Sequence, residues 1–302
     1  MKIKIDEYLE SLPKNEIIYY YPNPGNAGDA LIACATFKLF RKLGIKYRIV
    51  DYREQCFRGK IFVYPGGGNL VRYYDTADRV LRKVVNDDPR KIIVLPHTIE
   101  AHKYLLKNMK SNVDIICRDP VSYQYVKDNA VSANVFLADD LFFSADVKEI
   151  LQKNILLLMG GFLFKYKPRR ELLKAIKEVF IGLARAYNVV HSKKRIQSGV
   201  LNAFRTDEER TDINIPDDNI DISLPPSVRL NHETIAEINS RLLLMTIDHF
   251  KEIRTNRLHI AIAGALLGKE VFLYPNNYFK NEAVYNSSLK HAFPNVCWVS
   301  NS

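Results

Sequence analysis

Short apolar strands alternating with helical stretches predict an α/β protein built on parallel sheets. Strand-like runs recur six times in the first half, at 17–21, 47–50, 61–65, 91–95, 113–117 and 135–138. They are apolar throughout rather than alternating, as strands covered on both faces are. Helical patterns lie between most of them, at 30–43, 73–86, 102–108 and 121–129, after a short leading helix within 1–15. Polar residues follow the strand ends: Asn26 and Asp29, the Gly66–Gly68 triplet, His97, Arg118 and Asp139. In open parallel sheets ligands collect at those ends. The glycines do not form GxGxxG with a downstream ribose-binding acid, which speaks against a dinucleotide.

A chain of 302 residues is comfortable for two domains, and a cut near 150 divides it into 1–150 and 151–302. The second half reads as a strand at 155–159, helices at 170–187 and 240–249, a helix running from Arg254 to Gly268, a strand at 271–274 and a helical 280–290. The polar, charged stretch 188–226 reads as solvated surface in preference to an active-site segment. Two α/β units facing each other would put a site in the cleft between them.

Composition bounds the function. With 47% hydrophobic and 26% charged residues the chain is an ordinary globular one, but its formal charge of +10 favours anionic partners: nucleic acid, an anionic membrane surface, or an anionic small substrate. Lys and Arg are spread widely, so no nucleic-acid partner is expected. Cys34, Cys56, Cys117 and Cys297 are far apart, against zinc or a disulfide scaffold, and fit a reducing cytosol. No apolar run has signal-peptide or membrane-spanning length, so the expected location is cytoplasmic. The basic runs Lys165–Arg170 and Ser192–Arg195 could be solvated faces or could rest on anionic lipid at the inner face of the membrane. Asp139-Asp140 has no third ligand placed by spacing, so no metal is expected.

The most informative stretch is 253–268, which brings Arg254, Arg257 and His259 to the mouth of an almost uncharged helix. Thr255 or Asn256 could cap it, and Gly268 ends it. Free backbone N–H groups and the positive dipole end favour an anion there. Arg257 suits a carboxylate or phosphate gripped by two parallel hydrogen bonds, and histidine, at 259, is the side-chain type suited to proton transfer. A capped, salt-bridged helix would explain the same residues, and the segment alone leaves both readings open.

Six segments in order resemble one family. Asn23–Ile32 resembles the N-x-G-D opening of the polysaccharide pyruvyl transferases, and Gly66-Gly-Gly-Asn-Leu70 looks like their glycine-rich turn. Leu95-Pro-His-Thr-Ile99 is similar to their P-Q-T-I segment, with His97 for glutamine, and Cys117–Ser122 to R-[DE]-x-x-S. Phe204-Arg-Thr-Asp207 is similar to a segment of exopolysaccharide members. Thr255-Asn-Arg-Leu-His259 with Ala265–Gly268 resembles a T-D-R-L-H helix, with Asn256 for aspartate.

The resemblance implies two Rossmann-like domains arranged as in GT-B glycosyltransferases. It also implies transfer of a pyruvyl group from phosphoenolpyruvate to a sugar as a cyclic ketal, with no further cofactor. By resemblance His259 is the general acid, Arg257 and Leu258 meet the donor, and Arg118 is a second clamp. Asp29 orients the acceptor or acts as base, with Asn26 beside it. The N–H groups of Gly67 and Gly68, with Asn69, line the floor, and Lys280 adds a cation. Against these roles stand plainer ones: Asp29 could only cap a helix, and Arg118 could pair with Asp119 or Asp139. The acceptor would be a sugar, free or lipid-linked. The alternative is a GT-B glycosyltransferase with a nucleotide-sugar donor.

Overall fold

The computed structural model describes residues 2–23, 25–53, 55–154, 158, 169–211, 213–223 and 232–300, with backbone alone at 169–175 and 178. It is an α/β fold with parallel sheets. In chain order the first part carries α1 (Ile5–Glu10), β1 (Ile17–Tyr20), α2 (Ala27–Lys42), β2 (Lys46–Ile49), β3 (Ile61–Tyr64) and β4 (Gly67–Leu70). It continues with α3 (Thr76–Asn86), β5 (Lys91–Ile99), α4 (Lys103–Lys107), β6 (Val113–Cys117), α5 (Pro120–Asn129) and β7 (Asn134–Leu137). After a 3-10 turn, Leu141–Ser144, come α6 (Val147–Gln152), α7 (Arg169–Val190), α8 (Lys193–Ser198), β8 (Val200–Asn202), α9 (Glu233–Asp248) and β9 (Glu252–Thr255). Last are α10 (Leu258–Leu266), β10 (Glu270–Leu273), α11 (Lys280–Val284), a π-helical turn Tyr285–Leu289, α12 (Lys290–Ala292) and β11 (Val296–Trp298).

The chain forms two compact units: Met1–Asn23 with Ala35–Phe143, and Pro24–Cys34 with Ser144–Ser302. This differs from a single cut near 150, which would leave Asn26 and Asp29 with the first half. Residues 24–34 join the second unit because Ala27 N–H donates to the Ser223 carbonyl and the Ser240 hydroxyl to the Ala30 carbonyl.

In the first unit the strand order is β2-β1-β3-β5-β6-β7, with β4 beside β5, and every pairing is parallel. β3 and β6 are buried along their whole length, which is why they read as unbroken apolar runs. The order reverses between β1 and β3, and the chain leaves β1 there toward residues 24–34.

Two expectations are corrected here. The glycine triplet is not simply a turn: Gly67–Leu70 is β4, entered at a Gly67 φ of 144° that favours glycine. β5 does not stop before Pro96 but bulges between Val94 and His97 and runs to Ile99.

The second unit holds a parallel sheet, β11-β10-β9-β8 among the described residues. β8 lies within the stretch read as solvated surface, where neighbouring charges hide three strand residues. β9 occupies Glu252–Thr255, so the helix expected from Arg254 begins only at Leu258. Gly268, at φ +71°, follows its end. The strand expected at 155–159 and the basic run at 165–170 lie outside the described residues or side chains.

His97 joins β4 to β5. Asn69 N–H donates to its Nε2 at 3.0 Å, so the ring proton sits on Nδ1, which donates to the Pro65 carbonyl at 3.1 Å. Complete burial, aided by the nearby Arg118 charge, pushes this imidazole from its ordinary 6.5 down to about 3. Because the folded ring refuses a proton that the unfolded chain accepts, stability falls as pH drops from 6.5 toward 3. His97→Gln retains one acceptor and one donor but no titratable proton. Thermal melts from about pH 7 to about pH 4 should show Tm falling less steeply in the variant; equal slopes would remove His97 as a source of acid sensitivity.

Candidate active site

α10 is the centre of the site because it is apolar on all sides and can only be buried. Its residues from Ile260 to Ala265 are all buried, which fixes the position of its first turn. Gly264 lets it lie close on the sheet, since a Cβ there would meet Val271 Cγ2 at 2.8 Å. Neither Thr255 nor Asn256 is its N-cap: Arg257 is, without a side-chain cap bond, and Thr255 Oγ1 accepts from Arg257 N–H at 3.0 Å. Asn256 Oδ1 instead accepts from Arg205 N–H at 2.8 Å, tying β9's exit to the 203–223 segment. That bond uses the oxygen that asparagine and aspartate share. Leu258 is buried in the core.

Around Arg257 runs a chain of alternating charges. Arg205 grips Asp207 with two bonds, Nε to Oδ1 at 2.6 Å and Nη2 to Oδ2 at 3.0 Å, and Glu209 through Nη1 at 2.8 Å. Arg257 Nη2 reaches the same Asp207 Oδ2 at 3.0 Å and also pairs with Asp221. Lys280, buried, pairs with Glu209. Burial alone would raise the Asp207 carboxyl, but the hydrogen bond and charge of Arg205, with Arg257 behind it, hold it below its ordinary range. Arg257 Nε–H is different: it is buried and has no hydrogen-bond partner. Such an orphan donor costs roughly 1–3 kcal/mol until an acceptor reaches it.

His259 stands on the first turn of α10 and meets the first turn of α2. A Cβ at Gly28 would lie 2.9 Å from His259 Nδ1 and 3.0 Å from Asn26 Oδ1, so only glycine fits between them. Asn26 and Asp29 form a reciprocal cap on α2: Gly28 N–H donates to Asn26 Oδ1, and Asn26 N–H to Asp29 Oδ2, both at 2.8 Å. The capping alternative for Asp29 is therefore realised. Asp221 also accepts from Ser223, whose carbonyl receives Ala27 N–H, so one string of contacts runs from Arg257 back to α2. Next to it lies a cavity of about 530 Å³, lined by Ala27, Thr206, Asn219, Asp221, Asn239 and Leu242 among others.

The structure thus gathers Asn26, Asp29, Arg257, Leu258, His259 and Lys280 in one unit. Gly67, Gly68, Asn69 and Arg118 belong to the other. Gly67 and Gly68 are part of β4, and Asn69 serves the sheet through His97, Tyr64 and Asn23. Arg118, 2% exposed, donates to Thr98 Oγ1 at 2.8 Å and to Asp140 at 2.7 Å within the first unit. Asp119 caps α5 through Ser122 N–H, and Asp139 pairs with Lys2. Arg254 is also away from the helix mouth, exposed beside Glu252 and Phe272. Arg205, Asp207, Glu209 and Asp221 are site residues the sequence reading did not assign. The Arg-x-Asp-x-Glu spacing at 205–209 was their visible signal.

Comparison with known proteins gives the family of the chain. Residues 26–278 match the family described as polysaccharide pyruvyl transferase. EpsO of Bacillus subtilis (strain 168), provisionally named a pyruvyl transferase, is 24% identical over 95% of this chain and 90% of its own. A crystal structure of a functionally uncharacterised protein from Klebsiella pneumoniae is similar with a TM-score of 0.74 and 29% identity, over 98% of this chain and 97% of that one. The matched span holds the capped start of α2, the Arg205–Asp221 segment and α10 alike, and the chain belongs to the polysaccharide pyruvyl transferase family.

Proposed function

We propose that this chain moves the pyruvyl group of phosphoenolpyruvate onto two hydroxyls of a glycan, forming a ketal. The observation that carries the reading is the pair of guanidiniums, Arg205 and Arg257, bridged by Asp207 beside the His259 turn, with Arg257 Nε–H buried and unsatisfied. This pair replaces the Arg118–Arg257 clamp expected from the sequence. A carboxylate or phosphate oxygen of the donor satisfies Nε–H and competes with Asp207 and Asp221 for the guanidinium face. The adjoining first turns of α2 and α10 add the positive ends of their dipoles.

In this reading His259 delivers a proton to the donor's methylene carbon, whose double-bond electrons form the new C–H bond. One sugar hydroxyl attacks the cationic carbon 2 and loses its proton. The carbon–oxygen bond to phosphate then breaks, the electrons leaving with phosphate, and the neighbouring hydroxyl closes the ring and yields the second proton. The net change is phosphoenolpyruvate plus diol giving ketal plus inorganic phosphate. Asp29 remains the candidate to orient a hydroxyl. The cavity beside Asp221 offers amides and a hydroxyl to sugar oxygens and leucine to sugar CH faces. Two Rossmann-like halves in a GT-B arrangement remain the architectural expectation, and nothing in the family match favours a nucleotide-sugar donor.

The test is acceptor-dependent phosphate release from phosphoenolpyruvate over a panel of glycans. His259→Gln should lower the rate by about 10²–10⁴-fold, the usual weight of a general acid. Arg257→Lys keeps the charge but loses the planar fork, and should raise KM for the donor about 10- to 100-fold. No release with any acceptor, or release untouched by His259→Gln, would sink the reading.

Gly28→Ala offers a subtler check. The added methyl displaces the imidazole while suiting helix α2, so activity should drop on the order of 100-fold with little change in Tm. Full activity would mean that His259 does not need its place against α2.

A further inference from the structure

We propose that the outward face of α7 and α8 docks on an anionic lipid bilayer. α7 is held by one side: Val179 is buried and packs with Ile238 and Leu242 of α9. A flank about a quarter-turn round from Val179 presents Phe180, 60% exposed, and Tyr187, 61% exposed, seven residues apart on one stripe of the helix, with the exposed Ile181 to one side of it. α8 follows at once with exposed Lys193, Lys194 and Ile196. Phe180, Ile181 and Tyr187 thus leave three large apolar side chains in water within about two turns of one helix.

Charge decides what covers this face. Residues 169–198 hold eight Lys or Arg against two Glu, so six of the chain's ten net positive charges sit in a tenth of its length. A second copy of the same face would bring like charge against like charge. Nucleic acid shares the required sign, but Phe180 and Tyr187 stand two helical turns apart and the other exposed apolar groups, Ile181 and Ile196, are aliphatic, which is no stacking platform for successive bases. Hydrocarbon below anionic headgroups matches both features: apolar side chains enter the interface while lysines remain at the phosphates.

Another flank of α7, at Gly182, Arg185, Ala186 and Val189, walls the cavity beside Asp221. Docking would therefore bring that cavity to the membrane surface, where a lipid-linked glycan is presented. This consequence rests on the pyruvyl-transfer reading; the docking itself does not.

Sedimentation of the full chain with vesicles tests the proposal. Binding to phosphatidylglycerol-containing vesicles is expected, with little binding to pure phosphatidylcholine and release at high salt. Lys193→Ala and Lys194→Ala should each weaken partitioning about five-fold. Phe180→Ser with Tyr187→Ser should abolish it while leaving Tm and phosphate release with a soluble acceptor unchanged. The proposal is overturned by absence of binding to anionic vesicles, by equal binding to neutral ones, or by binding indifferent to these substitutions. It is also overturned if the Phe180 and Tyr187 pair instead controls dimer formation or RNA retention. Loss of phosphate release in every sample, with vesicle binding intact, would count against the catalytic reading alone.

Discussion

Asp207 stands between two guanidiniums, and the second unit is arranged around that shared carboxylate. Arg205 holds it by two bonds and Arg257 by a third, while Glu209, Asp221 and Lys280 extend the alternation of charge on both sides. Buried ions are costly unless each is met by an opposite charge or a hydrogen bond, and removing one partner from such a set typically costs about 3–5 kcal/mol. The network accordingly ties residues 205–209 and Asp221, which follow β8, to the start of α10. It also fixes the angle at which α10 leaves β9, because Arg257 is both a member of the network and the N-cap of the helix.

The two units use the same residue types for opposite purposes. Arg118 is as buried as Arg257, but its Nε–H meets Thr98 and its terminal nitrogen meets Asp140. It joins β6 to the neighbouring loops and has the character of a strut. His97 is likewise complete, with one ring nitrogen accepting and the other donating. Arg257 keeps one buried donor without a partner, and His259 is held only partly buried against Gly28. Burial alone therefore does not distinguish the two arginines; the partners of their guanidiniums do.

Close approach between helix ends is the second constraint. Gly25 leaves room for the Asp29 carboxylate, and a Cβ there would lie 1.8 Å from its Oδ2. Gly28 does the same for the His259 ring. These two glycines allow a capped helix terminus to sit directly beside a second one. The Asn26–Asp29 cap thus helps stabilise the helix start and, in the same geometry, sets its N–H groups next to the proposed acid.

The sequence by itself determined the parallel α/β class, because strands buried on both faces must be apolar along their length and show as runs. It also exposed the α10 turn, since a helix with no polar face and cations at its mouth is conspicuous at any alignment of the chain. Local pattern misread what depends on partners far along the chain. β4 was hidden by its glycines, β8 by the charges around it, and the start of α10 by a strand and a helix that adjoin without a clear break. Above all, Arg118 and Arg257 carry the same chemistry in one dimension. Only folding brought Asp140 to the first, and Asp207 and Asp221 to the second, because pairings across 22, 50 and 36 residues are made by tertiary contacts and leave no local pattern.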